Sequence, residues 1–251
     1  MHLIDLVAYT NRLAGRSAGE KTAFALGMLL LALLLPPWPG CVVVLVVMLV
    51  ATLLVARVPF GTYRKLVVGP LAFLVVGVVP LLVSIDFGGQ WLVSFHAAPG
   101  GLELAVRVTL RSLAALSCLF FLSFTTPVPQ ILGVMRRVRA PEVLTEVSLL
   151  IYRNIWVCVD TVRSIRAAQS SRLGYRTLRT TYRSLAMMIA TFFGQTLQRA
   201  RAMDKGLQAR NWHGELRVLD EGARATVLGV SVVIVVQACT LAMGLLAWRA
   251  L

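Results

Sequence analysis

Residues 41–56 read CVVVLVVMLVATLLVA, a run without a charged side chain. Residues 23–35 form a similar apolar run, and PPWPG at 36–40 separates the two. Because proline cannot continue the interior of a helix, this pattern predicts a helical hairpin that turns at 36–40. Each arm is shorter than the roughly 20 residues that cross a bilayer, so we expect both helices to include flanking residues.

The rest of the chain has the composition of a polytopic membrane protein. Of its 251 residues 58% are hydrophobic, and the mean hydropathy is +0.78, whereas a soluble domain of this length needs a more polar surface. Further apolar runs lie at 66–85, at 102–124 and within 223–251. Together with 23–35 and 41–56, they predict an all-α fold with about five transmembrane helices.

The distribution of basic residues predicts the orientation. The formal net charge is +14, and Lys and Arg concentrate in 57–65 and 127–222, whereas the hairpin turn and 86–101 contain neither. Because cytoplasmic loops carry the excess of Lys and Arg, we expect a multi-pass protein of the cell inner membrane with a cytoplasmic N-terminus and an external C-terminus. Arg107 and Arg111 fall in the outward half of the fourth run. They lie either at the interface or against protein or water inside the bundle.

The basic segment 127–222 is also periodic. Apolar residues recur in it at three- and four-residue spacing, which predicts two long amphipathic helices. The first contains Val147, Ile151, Ile155, Cys158, Val162 and Ile165, and the second contains Leu185, Ile189, Phe192, Thr196, Ala200, Met203 and Leu207. We therefore predict a membrane bundle at 1–126, a cytoplasmic helical region at 127–222 and a last transmembrane helix at 223–251.

No residue pattern in the sequence indicates catalysis or a metal site. Gly15-Arg16-Ser17-Ala18-Gly19 matches the GxSxG of hydrolases, but nothing strand-like precedes it, so we interpret it as a chance match. His2, His96 and His213 are scattered, and the four cysteines form neither a CxxC pair nor a cluster with histidine. The phosphate-binding pattern GxxxxGK[ST] does not occur. We expect no catalytic residue, cofactor or metal in this chain.

Two arginines each follow a small residue at the predicted end of an amphipathic helix. The two motifs are Ser171-Arg172-Leu173-Gly174 and Ala209-Arg210-Asn211. Gly174 and Asn211 can adopt the left-handed conformation that ends helices. A guanidinium there offers a planar fork to a partner's carboxylate or exposed carbonyls. Alternatively, it complements the helix dipole or contacts lipid phosphate.

Five stretches, in this order and spacing, resemble the transmembrane T component of energy-coupling factor (ECF) transporters, in its cobalt-type, CbiQ-like branch. They are AYTNRL at 8–13, LAALSCLFFLSFTTPVPQILGVMRRVRAPEVL at 113–144, LLIYRNIW at 149–156, AAQSSRLGY at 167–175 and GLQARNWHGELRVL at 206–219. In that family two Ala-Arg-Gly-like triplets end the coupling helices and dock in grooves of two ATP-binding-cassette subunits. The resemblance gives this role to the two arginine motifs, which depart from the triplet at Ser171, Leu173 and Asn211.

The resemblance implies a non-catalytic scaffold of an ATP-driven importer for a divalent transition-metal ion, with cobalt favoured. Its implied partners are two ATPase subunits, which bind the ATP, and a membrane S component that captures the metal, with or without a small accessory membrane subunit. The T component of a nickel or vitamin transporter is the nearest alternative.

Three alternatives belong to other classes. A stand-alone secondary transporter or channel predicts ionisable pairs within the membrane and repeated halves, and neither is visible beyond Arg107 and Arg111. An intramembrane enzyme needs converging polar groups. A membrane-anchored nucleic-acid binder predicts aromatic residues interleaved with the basic ones, and few are present.

Overall fold

The computed structural model describes residues 3–36, 38–88, 92–97, 101–211 and 226–249, with only the backbone for 3–6, 81–88, 92–97 and 248. The helices are α1 (Leu3–Thr10), α2 (Ala18–Leu34), α3 (Gly40–Val50), α4 (Phe60–Leu82), α5 (Gly101–Thr125), α6 (Val128–Arg137), α7 (Glu142–Ser171), α8 (Leu178–Ala209) and α9 (Val227–Arg249). A π-helix, Ala51–Val55, continues α3. The predicted helical class is confirmed.

A short β-hairpin interrupts the helices where the sequence suggested a loop. Strand β1 (Val83–Gly88) pairs with strand β2 (Leu92–Ala97) in antiparallel register, from Val83 opposite Ala97 to Gly88 opposite Leu92. The two segments read VSIDFG and LVSFHA, and they contain Val83, Ile85, Phe87, Val93 and Phe95, which are of the types that favour strands. The expected loop at 86–101 is therefore corrected to a hairpin over its described residues.

Several helices have the length and composition of membrane spans. Phe60–Pro80, Gly101–Thr125 and Val227–Ala247 are each long and apolar enough to cross a bilayer. The arms of the N-terminal hairpin are shorter, since α2 has 17 residues and the second arm covers Gly40–Val55. As expected, α2 takes in polar flanking residues, because it begins at Ala18. The chain has the fold of a polytopic membrane protein.

The bundle core forms where α2, α3, α5 and α9 approach one another closely. Met28 and Val44 are fully buried, and the rings of Phe24 and Phe121 pack edge to face with centroids 5.3 Å apart. Gly27 leaves room for the amide of Gln237, which donates to the Ala23 carbonyl at 3.1 Å. Small residues thus bring α9 against α2, as is usual in membrane bundles.

Arg107 and Arg111 have different environments. Nη2 of Arg111 donates to the Leu35 carbonyl at 3.3 Å, at the C-terminal end of α2, where helix carbonyls lack partners. Arg107 forms an exposed ion pair with Glu103, one turn earlier on α5. The sequence left open whether these arginines lie at the membrane interface or against protein or water inside the bundle. Arg111 lies against protein.

The chain folds into two compact units, one of residues 1–131 with 222–251 and the other of residues 132–221. In the second unit α7 and α8 form an antiparallel helical pair. Nε2 of Gln169, near the end of α7, donates to the carbonyl of Ser184, near the start of α8. Thr177 and Thr180 form a capping box that begins α8.

Candidate functional site

The two arginine motifs form two helix ends of the same shape. Helix α7 ends at Ser171 and α8 at Ala209, so Arg172 and Arg210 are each the first residue beyond a helix. Their backbone angles are φ −96°, ψ 17° for Arg172 and φ −95°, ψ 14° for Arg210. Each arginine N–H donates three residues back, to Gln169 at 3.2 Å and to Leu207 at 3.1 Å.

The residue after each arginine is left-handed. Leu173 has φ 59° and Asn211 has φ 55°. Their N–H groups donate to the Ser170 and Gln208 carbonyls, both at 3.0 Å. In the first end, the Gly174 N–H also donates to the Gln169 carbonyl at 2.9 Å, which completes a Schellman motif. The left-handed conformation predicted for Asn211 is confirmed, whereas in the first motif it belongs to Leu173 rather than Gly174.

Gly174 is required for a different reason, which is close packing. A Cβ there would lie 2.6 Å from Ser184 Oγ and 2.9 Å from the Gln169 carbonyl oxygen. Ser184 donates its hydroxyl to the Gly174 carbonyl at 2.9 Å, and the Tyr175 hydroxyl donates to Gln169 Oε1 at 2.7 Å. Sequence reasoning missed Gln169, Tyr175 and Ser184. The only signal was the run of polar residues around Arg172.

Both arginines are exposed, as are Ser171, Leu173, Ala209 and Asn211 beside them. Arg210 borders a cavity of about 360 Å³ between the last turns of α8 and the first turns of α7, which Glu146, Arg153 and Leu207 also line. Arg172 lies at the opposite end of the helical pair. Because α8 has 32 residues, it holds the two ends about 48 Å apart. The chemistry available at both places is a guanidinium open to an anionic partner.

A second group of polar residues forms hydrogen bonds at the end of α5 and just before the start of α9, the helices that lie on either side of residues 126–225. Nζ of Lys21 donates to the Thr125 carbonyl at 2.8 Å and to the Leu13 carbonyl at 3.3 Å. Nδ2 of Asn11 donates to the Phe124 carbonyl at 2.8 Å. The stretches AYTNRL and FTTP therefore meet at the end of α5.

The start of α9 has a matching contact. Oε1 of Glu20 accepts the Thr226 N–H at 2.8 Å, immediately before α9 begins. Glu20 and Lys21 are only 8% and 4% exposed. Sequence reasoning missed the contacts of both residues, because their partners are distant in the chain.

The GxSxG match has no hydrolase geometry. Ser17 is the residue before α2, it is 2% exposed, and turns rather than a strand precede it. Its hydroxyl has no hydrogen-bond partner within the part of the chain that the structure describes. Among these same residues no three His, Cys, Asp or Glu side chains form a group that could hold a metal ion. His2 and His213 lie outside the described residues.

Comparison with known proteins shows the family. The family model for the cobalt transport protein CbiQ matches residues 10–219. A cobalt transport protein CbiQ from Rhodobacter capsulatus is 40% identical over 243 residues, which are 97% of this chain and 98% of that protein. One from Salmonella typhimurium is 30% identical over 223 residues, or 86% of this chain and 99% of that protein.

A longer relative matches with part of its length. A putative fused cobalt transport protein CbiMQ from Methanocorpusculum labreanum is 30% identical over 240 residues, which are 92% of this chain but 40% of that protein. The resemblance inferred from the five sequence stretches is confirmed by these matches. This chain belongs to the CbiQ family of cobalt transport proteins.

Proposed function

We propose that this chain is the transmembrane T component of an ECF-type importer for cobalt ions. It joins two ATPase subunits to a separate membrane subunit that captures the metal, and it binds neither ATP nor cobalt itself. The observation that carries the proposal is the pair of helix ends with one shape, each presenting an exposed arginine. Family membership supports the transport role and cobalt as the substrate.

The geometry of the two ends favours two similar partners. Over the described residues, a surface that fits the turn at Arg172 also suits the turn at Arg210, because the φ and ψ angles of the two arginines agree within a few degrees. The separation of about 48 Å along α8 suits two subunits, each with its own acidic groove. Apolar side chains of α7 and α8 remain exposed as well, among them Val147, Ile151 and Ile189. Exposed apolar surface of this kind is typical of a partner-binding region.

The membrane partner is supported by one relative. The name of the Methanocorpusculum protein describes a fusion, and this chain corresponds to 40% of it. We propose that the metal-capturing subunit is separate from this chain and is fused to its counterpart there. We further propose a cytoplasmic N-terminus, an external C-terminus and a cytoplasmic 127–222 region in the cell inner membrane. ATP-driven closure of the ATPases would move the ends of α7 and α8 and thereby reorient the capture subunit.

Charge reversal at the two arginines tests the proposal. Removing a desolvated charge contact from an interface costs about 2–5 kcal/mol, so Arg172→Glu and Arg210→Glu should each weaken ATPase binding or abolish coupled uptake. The matched control is Arg179→Glu, an exposed position in the first turn of α8, where the effect should be about 0–1 kcal/mol. The measurements are pull-down of the ATPase subunits and uptake of cobalt and of nickel by cells.

The outcomes separate the role of the arginines from the identity of the ion. If both reversed variants assemble and transport like the parent, the arginines are helix-end or lipid contacts and the docking role is wrong. Uptake of nickel in preference to cobalt would assign the alternative substrate and leave docking intact.

A further inference from the structure

A cleft runs into the membrane unit among α2, α3, α5 and α9. Its volume is about 370 Å³. Most of its lining is apolar, including Val50, Val55, Val232, Val233 and Val236. An apolar cleft of this size is large enough to take part of a ligand. Part of its wall is the π-helix, a structure frequent at functional sites.

The cleft is open at the surface of the bundle and charged at one end. Val50, Val55 and Val232 are 44%, 49% and 52% exposed, so the cleft is open towards the lipid. Arg16, Glu20 and Lys21 lie together at one end. From Gly229, which faces Glu20, to Val236 the apolar wall extends about 10 Å along α9.

Among the residues that the structure describes, the charges at this end leave one cation available. Glu20 is engaged by the Thr226 N–H, and Lys21 by the carbonyls of Leu13 and Thr125. These two buried side chains carry opposite charges and are adjacent in sequence, so their charges offset each other. Arg16 lines the cleft and is exposed, and among the described residues it supplies the remaining positive charge.

We propose that this cleft binds one phospholipid with a negatively charged headgroup. Its phosphate contacts the Arg16 guanidinium, and part of one acyl chain occupies the apolar wall between α3 and α9. An entirely apolar partner helix would cover the apolar wall but would leave the Arg16 guanidinium without an anion. The site has the chemistry of a lipid, with one charged end and one apolar end.

Lipid retention by the purified full-length protein tests the site. The protein is extracted in a mild detergent, and bound phospholipid is measured by native mass spectrometry and phosphorus analysis. Arg16→Ala should lower retention about fivefold, which is the effect of one cation at a lipid surface. Arg12→Ala, at an exposed arginine that does not line the cleft, is the control.

A second pair of variants fills the apolar part. Val233→Trp places a large ring in the cleft and should abolish retention, whereas Val235→Trp changes a 58% exposed position outside its lining. Added phosphatidylglycerol should raise the thermal stability of the delipidated parent protein, and soluble glycerol phosphate should not. The proposal is overturned if Arg16→Ala and Arg12→Ala retain equal amounts. It is also overturned if Val233→Trp keeps its phospholipid but no longer co-purifies with a membrane partner.

Discussion

Glu20 and Lys21, neighbours in the first turn of α2, contact the two residues, Thr226 and Thr125, that lie on either side of the segment 126–225. Lys21 donates to Thr125, where α5 ends, and Glu20 accepts from Thr226, just before α9 begins. Each charge matches the dipole of the helix end that it contacts, since a cation suits a C-terminus and an anion an N-terminus. Helices α6, α7 and α8 lie between these two contacts in the chain. One turn of α2 therefore contacts the end of α5 and the residue before α9.

We predict that Lys21→Met destabilises the membrane unit. Methionine fills a similar volume but leaves the carbonyls of Leu13 and Thr125 without this donor, and an unsatisfied buried polar group costs about 1–3 kcal/mol. Thermal unfolding of the protein in detergent measures the effect. Lys65→Met changes an exposed lysine and is the control. Equal melting temperatures for the two variants would contradict the role of Lys21.

Gly174→Ala is predicted to destabilise the pairing of α7 with α8. The new Cβ meets the Gln169 carbonyl oxygen at 2.9 Å, so the backbone has to shift, and such overpacking costs about 1–3 kcal/mol. Gly194→Ala is the matched change in α8, because nothing lies within 4 Å of its Cβ. That variant should gain up to about 1 kcal/mol from helix propensity. Unfolding by heat or denaturant compares the two, and similar stabilities would show that Gly174 is not packed as described.

Catalytic silence is a third prediction. The purified protein alone should hydrolyse no ATP, and Ser17→Ala should leave transport by the assembled complex unchanged. Because the buried Ser17 hydroxyl has no partner within the described residues, its removal should be neutral or slightly stabilising. Phosphate release and cobalt uptake are the two assays. A variant that assembles normally but does not transport would mean that the GxSxG match has a function.

Accessibility to an impermeant thiol reagent tests the orientation. In a cysteine-free background, Gln90→Cys should react from the outer side of intact cells, because Lys and Arg avoid 86–101. Position 90 lies outside the described residues. Ser171→Cys, an exposed position at the end of α7, should react only after the membrane is opened. The reverse pattern would invert the proposed topology.

The sequence predicted those features that depend on local pattern. Apolar runs without charges indicate membrane helices wherever they pack, and the positions of Arg172 and Arg210 followed from helical periodicity and small neighbours. The contacts of Lys21 and Glu20 could not be predicted, since their partners lie 104 and 206 residues away. No local signal specifies which distant helix end a buried charge will meet.

In the motif around Arg172, the left-handed residue was predicted at Gly174 but is Leu173, because a contact with a residue outside the motif was again decisive. Glycine is usually placed by its conformational freedom, and on that ground Gly174 was the better candidate than Leu173. Its actual constraint is the approach of Ser184 from the next helix, which only the folded structure shows. Leu173 accepts the left-handed conformation at a cost of roughly 1–2 kcal/mol.

The ends of α7 and α8 adopt the same backbone turn with different residues. Serine and alanine precede the arginine, leucine and asparagine follow it, and only the arginine is common to both. A search for a fixed Ala-Arg-Gly string would therefore overlook both copies in this chain. In this chain one backbone geometry is compatible with different residues on both sides of the arginine. A structural search for similar helix ends should therefore use the paired geometry of these two turns rather than a residue string.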